Sequence, residues 1–584
     1  MSSDGDQIAV HNSLNDNAAD AADVPFNDKR YTFITDSTSN SGSFSSGQIQ
    51  FDLSTLNSMS QWVSLSEAMI EFPIKITTQL KTPIVTGSIT NAAAQAASVV
   101  IKNGWHQWID SAQLTINGQC IAAAQPYENV AASFRILSKW SQDTLVKLGP
   151  TCGVALDDCT GVQATNTISN TTGLGNATYS TVATPVKGLD VINNQASLFN
   201  RGIVARNNMT NYDINPYSSG TTGAPNVQTT ILGAAGMKTA GRPNVSIVST
   251  TGSNTADAYL HCAYYMATCR LKDLMDIDDY PLQKNLKGYL YLSFNSSQVS
   301  LTGTLTGAPA VTATLASVAI TPLTGRSTPF MINNSATGIT LGSSSSGTVA
   351  AVVQVVGSVD ATMTGVPASG SCGPLLTNAR LVCPYYLANP RTDSALTQSS
   401  KFFTTLEKIV NPITVAAGTS VNYTITTGVP NARKLVILPM WQNLGGASFL
   451  SNPETSCFDS IPATSGPFAV LNNFQVYLGN KPIYQYPIQY DFEQWNTEQT
   501  SLGLNGAMIS EQTSGLLTQQ LFEQNHRYYY VDLSRRLDSE NGQSKSVQVS
   551  FSNPSSTFGM KCIAIVFYEK RWVMNTATGQ ISSV

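Results

Sequence analysis

Four histidines, nine cysteines and one run of aspartates are the residues with which this chain would do chemistry, and none is arranged for it. His11, His106, His261 and His526 are scattered, and no HExxH, GxSxG, GxxxxGK[ST] or strand-following GxGxxG frames them. His526, just before Arg527 and Tyr528, reads as a residue at the entry to a strand. The cysteines (Cys120, Cys152, Cys159, Cys262, Cys269, Cys372, Cys383, Cys457, Cys562) are odd in number and include no CxxC pair. Cys262, Cys383 and Cys562 lie inside apolar runs, where a free thiol behaves as a small hydrophobe. Cys152 and Cys159 have the spacing of a local disulfide or half a metal site, but no histidine cluster completes one. Asp273, Asp276, Asp278 and Asp279 raise the question of calcium, yet they lack the loop spacing and closing glutamate of an EF-hand and read as a polar turn. Paired carboxylates for glycoside cleavage need only converge in space, so spacing cannot identify them. Tyr528, Tyr529 and Tyr530, with Tyr484, Tyr486 and Tyr490, would stack on nucleobases only beside a basic groove. With only Arg527, Arg535 and Arg536 near, they read as sheet packing or a subunit interface. The expectation is a non-enzyme with no catalytic residue, no cofactor and no metal.

Composition agrees with a structural role. Charged residues make up 12% of the 584, against 42 glycines and many Ser, Thr and Asn, about half the usual charged fraction. Charge is depleted where proteins meet each other, so an uncharged polar surface suits assembly, although an extracellular β-rich protein would share it. The net charge is -4, and residues 1–30 carry Asp4, Asp6, Asp16, Asp20, Asp23 and Asp28 against only Lys29 and Arg30. That is the reverse of an arm that neutralises phosphates, so no strong pull toward nucleic acid and no sequence-specific nucleic-acid binding are expected. Met1-Ser2-Ser3 opens no apolar leader, and no apolar run reaches the roughly 18 residues of a spanning helix. The expected setting is a reducing compartment, with sequons such as Asn176 and Asn422 left unglycosylated.

The elements that would position these residues are mostly strands. Gln48 to Leu53 alternates polar and apolar, and Ala68, Ile70, Phe72, Ile74 and Ile76 do so over a longer stretch. Leu286, Gly288, Leu290, Leu292 and Phe294 repeat the pattern, as do Val547, Val549 and Phe551. Helical spacing appears over Tyr127 to Leu148, ended by Gly149-Pro150, and over Met508 to Gln524.

Four segments then recur in the same order. Ile109 to Ile121 matches Leu471 to Ile483 without gaps, Gln113 meeting Gln475 and Asn117-Gly118 meeting Gly479-Asn480, both suited to a two-residue hairpin turn. Ala263 to Leu271 matches Arg527 to Arg535, Leu290 to Phe294 matches Val547 to Phe551, and Arg380 to Tyr386 loosely matches Ala564 to Tyr568. The expected organisation is an all-β double jelly roll, two tandem β-sandwiches from one duplicated domain, with large insertions in the first. Its parts are an N-terminal arm over 1–40, a first jelly roll over 41–395 with insertions at about 150–255 and 298–376, a second over 396–576, and an exposed tail over 577–584. Ser399 to Leu406 bridges the halves, and the insertions are read as ordered β-rich excursions on one end of the sandwich.

Tyr528 to Arg536, Ile565 to Lys570, Gln113 to Gly118 followed by Gln125-Pro126-Tyr127, and Gly428 to Arg433 before the strand Leu435 to Pro439 together resemble the major capsid proteins of polinton-like viruses and virophages. The resemblance runs from about 45 to 576 and omits the insertions. It implies a subunit upright in an icosahedral double-stranded DNA virus shell, three copies forming a pseudo-hexameric capsomer, with a separate penton protein, other minor capsid proteins and a separate packaging ATPase. It implies a virion location after synthesis in the host cytoplasm. The insertions are expected to crown the outer surface and carry host contacts. The competing expectation is a secreted carbohydrate-binding or glycoside-cleaving β-sandwich protein.

Overall fold

The computed structural model describes residues 25–37, 47–58, 61–81, 99–158, 202, 205–206, 244–247, 259–306, 312–332, 347–357, 378–398, 400–442, 452–457, 460–465, 469–500, 515–534, 542–576 and 578–584. His11, Cys159, Cys372, the sequon at Asn176 and nearly all of the first insertion lie outside them.

Two sandwiches of eight principal strands follow one another, and their sheets have the same strand order. In the first, β1 (Phe26–Thr35), β15 (Arg380–Ala388), β4 (Met69–Leu80) and β9 (Tyr259–Arg270) lie side by side. They face a sheet of β2 (Gln48–Asp52), β10 (Gly288–Phe294), β6 (Ile109–Ile116) and β7 (Gln119–Ala122). In the second, the order is β16 (Ser400–Val415), β23 (Met560–Asn575), β18 (Ala432–Trp441), β21 (Tyr529–Asp532), facing β17 (Ser420–Pro430), β22 (Ser544–Ser552), β19 (Asn472–Leu478), β20 (Lys481–Pro482). Every pairing is antiparallel, and consecutive strands cross between sheets in the jelly-roll manner. Short strands complete the set: β3 (Trp62–Val63) on β15, β8 (Asn244–Ile247) on β9, and β5 (Val99–Ile101) paired with β13 (Phe330–Ile332).

The matched sequence segments occupy matched places. Asn117 (φ 48°) with Gly118 (φ 82°) joins β6 to β7, and Gly479 (φ 57°) with Asn480 (φ 64°) joins β19 to β20. Both turns need positive φ twice, which Asn and Gly adopt at least cost. The other pairs fall on β9 and β21, β10 and β22, and β15 and β23. Period-two patterning does the rest: Ile70, Phe72, Ile74 and Ile76 of β4, and Val547, Val549 and Phe551 of β22, all point into a core.

Several boundaries differ from expectation. Phe26–Thr35, inside the expected arm, pairs along its length with β15. Only Ile34 of this edge strand is buried, so its charged, one-sided sequence carries almost no periodic signal. The expected exposed tail contains β24 (Ile581–Ser583), paired with Trp572–Met574, and Ile581 is buried. Ser400 to Leu406 is no bridge but the start of β16, and the halves are joined by a helix, α3 (Pro390–Gln398). The single helix expected over 127–148 is two, α1 (Glu128–Lys139) and α2 (Gln142–Cys152). Ser141 breaks them by capping α2, its hydroxyl accepting from Thr144 N–H at 3.1 Å, and α2 runs through Pro150 to an αL cap at Gly153. Of the second expected helix, residues 508–514 lie outside the described residues and Gln519–Gln524 forms α5, while α4 (Phe492–Thr500) was not anticipated. The second insertion holds β11 (Ser296–Thr306), β12 (Thr312–Thr324) and β14 (Gly347–Gly357), and β14 pairs with β4 across Ile74 to Leu80, extending the first sheet.

The two cores exchange side chains. Phe403, Trp572, Met574 and Ile581 of the second half belong to the first core, while Tyr127, Val130, Phe134, Leu137 and Trp140 of the first half belong to the second. The sandwiches are therefore fused rather than strung on a linker.

Candidate functional site

The most elaborated polar arrangement lies where α1 crosses from one sandwich to the other. Alternation along β21 splits its tyrosines. Tyr529 turns inward, its ring 5.2 Å from Phe474 and its hydroxyl accepting from Leu471 N–H at 2.7 Å. Tyr528 and Tyr530 turn to the outer side of the sheet and meet Phe134 of α1 at 5.8 and 5.9 Å, with Trp495 of α4 closing over Tyr530 at 6.1 Å. The outer face of the second β16-β23-β18-β21 sheet is thus buried under a helix supplied by the first half.

Charged groups are sealed into this junction. Glu128 and Arg135, two helical turns apart on α1, form an ion pair at 3.0 Å with both side chains almost wholly buried. Arg135 also binds Asp276 at 3.0 Å and donates to the carbonyls of Asp273 and Leu274. Lys408 of β16 binds the second oxygen of Glu128, Lys139 binds Asp276 at 3.2 Å and also Asp278, and Asp276 makes an isolated antiparallel bridge to Leu406. Burial alone would raise the Asp276 carboxyl, but Arg135, Lys434 and Lys139 hold it well below the usual carboxylate range. Lys434 of β18 faces the ring of Phe567 at 4.6 Å, and burial pushes its amine down to about 8. Burial likewise lowers Lys408.

The residues singled out in the sequence therefore land as follows. Asp278 and Asp279 lie in a turn as expected, while Asp273 and Asp276 before it are buried counter-ions: Asp273 binds Arg270 at 2.7 Å and accepts from Trp140 Nε1 at 3.1 Å. Asp279 accepts from Thr404 at 3.3 Å. Of the histidines, the side chains of His106 and His526 are described, and each has its own partners. His106 is buried beside Ser133 Oγ at 3.0 Å, with its ring pushed down to about 4 by burial. His526 is buried against the Asp157 carbonyl at 3.2 Å, where burial lowers its pKa, and it precedes β21 as expected. Both rings are almost wholly buried. Cys152, Cys383 and Cys562 are buried free thiols, and burial pushes Cys152 and Cys383 up to about 12. Tyr484 and Tyr490 pack around Phe474, while Tyr486 is exposed. No group of three metal-ligating side chains occurs among the described residues, and no described helix is long and apolar enough to cross a membrane.

Sequence reasoning missed Glu128, Arg135, Lys408 and Lys434. The available signal was a charge on an otherwise apolar helix face and lysines inside apolar strands, since such residues are almost never fully buried unless paired.

No family model matches the chain, and no curated protein sequence matches it. Among solved structures, it is similar to a chain of the Sputnik virophage seen by cryo-EM, with 13% identity, 98% of this chain and 91% of that chain covered and a TM-score of 0.48. The mavirus major capsid protein is similar at 9% identity, covering 97% and 92%, with a TM-score of 0.45. The Faustovirus major capsid protein is similar at 10% identity, covering 95% and 92%, with a TM-score of 0.42.

Proposed function

We propose that the chain is a major capsid protein, a shell tile that assembles as trimers of pseudo-hexameric outline in an icosahedral double-stranded DNA virus particle. The observation that carries this reading is the identical strand order of the two fused sandwiches. Two similar domains repeated by a three-fold axis present six similar edges, so a trimer can occupy a hexagonal lattice position. The fusion makes the pair a single block, as a tile under lattice stress requires. The tile has no catalytic role, its place is the virion after synthesis in the host cytoplasm, and its partners are copies of itself with a penton and minor capsid proteins.

The insertions have a role consistent with this. Strand direction alternates through each jelly roll, so the connection β7 to β9, which holds the first insertion, and β10 to β15, which holds the second, leave the same end of the first sandwich. We assign that end to the outer surface.

Light scattering with electron microscopy of the purified full chain tests the reading. Particles of three times 62.2 kDa, with hexagonal outline, or closed shells are expected. A stable monomer with affinity for polysaccharide would overturn the tile in favour of a carbohydrate-binding sandwich.

A further inference from the structure

The outer face of the second sandwich's β16-β23-β18-β21 sheet is buried within the chain around Tyr530 and Phe567, because the first half lays α1 across it. The same strand order makes the outer face of the first sandwich's β1-β15-β4-β9 sheet its counterpart. Ile34, Leu381, Cys383 and Ile70 point into the first core, so register sends Lys29, Tyr31 and Phe33 of β1 and Arg380, Val382 and Tyr386 of β15 to the outside. The two aromatics of β1 stand open, Tyr31 58% exposed and Phe33 54%, whereas Phe567 and Tyr530 on the corresponding face of the second sandwich are fully buried.

This open face is prepared for burial. Its cations are already neutralised, Lys29 by Glu67 and Arg380 by Glu71, so covering them would strand no charge. The same cations lie against the aromatic rings, Arg380 4.7 Å from Phe33 and Lys29 5.1 Å from Tyr386 and 5.9 Å from Tyr31. Large aromatics beside arginine, free of unpaired charge, are the composition of energetically dominant interface centres.

We propose that the outer face around Tyr31 and Phe33 is the seam between copies of this chain, covered by the second sandwich of a neighbouring copy, so that the contact made within each chain is repeated between chains. The inference rests on the tile reading and adds the location of its seam. A ring of such contacts leaves no first sandwich uncovered.

The test is the assembly state of the full chain carrying Tyr31→Ser and Phe33→Ser. Both side chains stand on an open face, so the subunit should keep its melting profile. Assembly should weaken on the order of 100-fold, moving the mass from three times 62.2 kDa to 62.2 kDa. The pair Tyr289→Ser and Tyr291→Ser, on the exposed face of the other sheet, should assemble as the wild type does. Trimers that persist in the first variant overturn the seam and leave the tile standing. A monomeric wild type overturns both. Should the first variant misfold, hydroxyl-radical labelling of wild type decides: Tyr31 and Phe33 labelled less in the oligomer than in dilute monomer supports the seam, and equal labelling overturns it.

Discussion

Arg135 is the central cation of the buried charge network beside the junction, and Arg135→Met measures what that network contributes. Its guanidinium makes ion pairs at 3.0 Å with Glu128 and with Asp276 and donates to two backbone carbonyls, with 2% of the side chain accessible. Breaking a buried pair from one side costs roughly 3–5 kcal/mol, because a charge is left behind in low dielectric. Here Glu128 keeps Lys408 and Asp276 keeps Lys139, which moderates that loss. The carbonyls of Asp273 and Leu274 have no such reserve, and each orphaned buried acceptor costs about 1–3 kcal/mol. The expected total is about 4 kcal/mol. Urea unfolding of the variant should show the unfolding free energy falling by that amount, with tryptophan signals from both halves shifting together, since Trp140 and Trp495 flank the junction. In a double-mutant cycle with Glu128→Gln, the two changes should be non-additive by more than about 1 kcal/mol. A variant within about 1 kcal/mol of wild type, or strict additivity, would refute the claim that this buried network stabilises the fold.

Phe134→Ala empties a site ringed by Tyr528, Tyr530 and Trp495, and a loss of about 3–5 kcal/mol is expected in the same urea assay. Lys434 titrates near 8 when folded against an ordinary 10.5, so the unfolded chain binds the extra proton between those values and stability should rise across that window. Lys434→Met should flatten that rise, and at pH 7 should be no less stable than wild type; an unchanged slope would show that Lys434 is not its source. His106 is pushed down to about 4 from 6.5, so its contribution is complete above 6.5 and is lost as pH falls toward 4. His106→Gln should lose part of that acid sensitivity in melts at pH 4.5 and 7, and identical pH profiles would count against it.

Much of the architecture is local, and so is visible in the chain. Alternation places Ile70, Phe72 and Ile74 on one side of a strand whatever lies opposite, because successive side chains must point to opposite faces. Asn117-Gly118 and Gly479-Asn480 turn tightly because of their own backbone freedom. A duplication of such local devices is readable as duplication, which is why the two sandwiches, their hairpins and the absence of catalytic motifs could be argued from residues alone. The edge strand Phe26–Thr35 escaped because an edge is stabilised by pairing with β15, 350 residues away, and its charged face has no reason to alternate. The acidic run at 273–279 was legible as a turn only at Asp278 and Asp279: whether a carboxylate meets water, calcium or a cation depends on what folds against it, and Arg135 and Lys139 reach Asp276 from a separate part of the chain. Tyr31 and Tyr530 show the same limit most plainly. Each is an aromatic on the outer side of a sheet strand, and only tertiary structure decides that one is buried beneath α1 while the other is open to solvent, because a helix has a neighbouring sandwich to cover in one direction along the chain and none in the other.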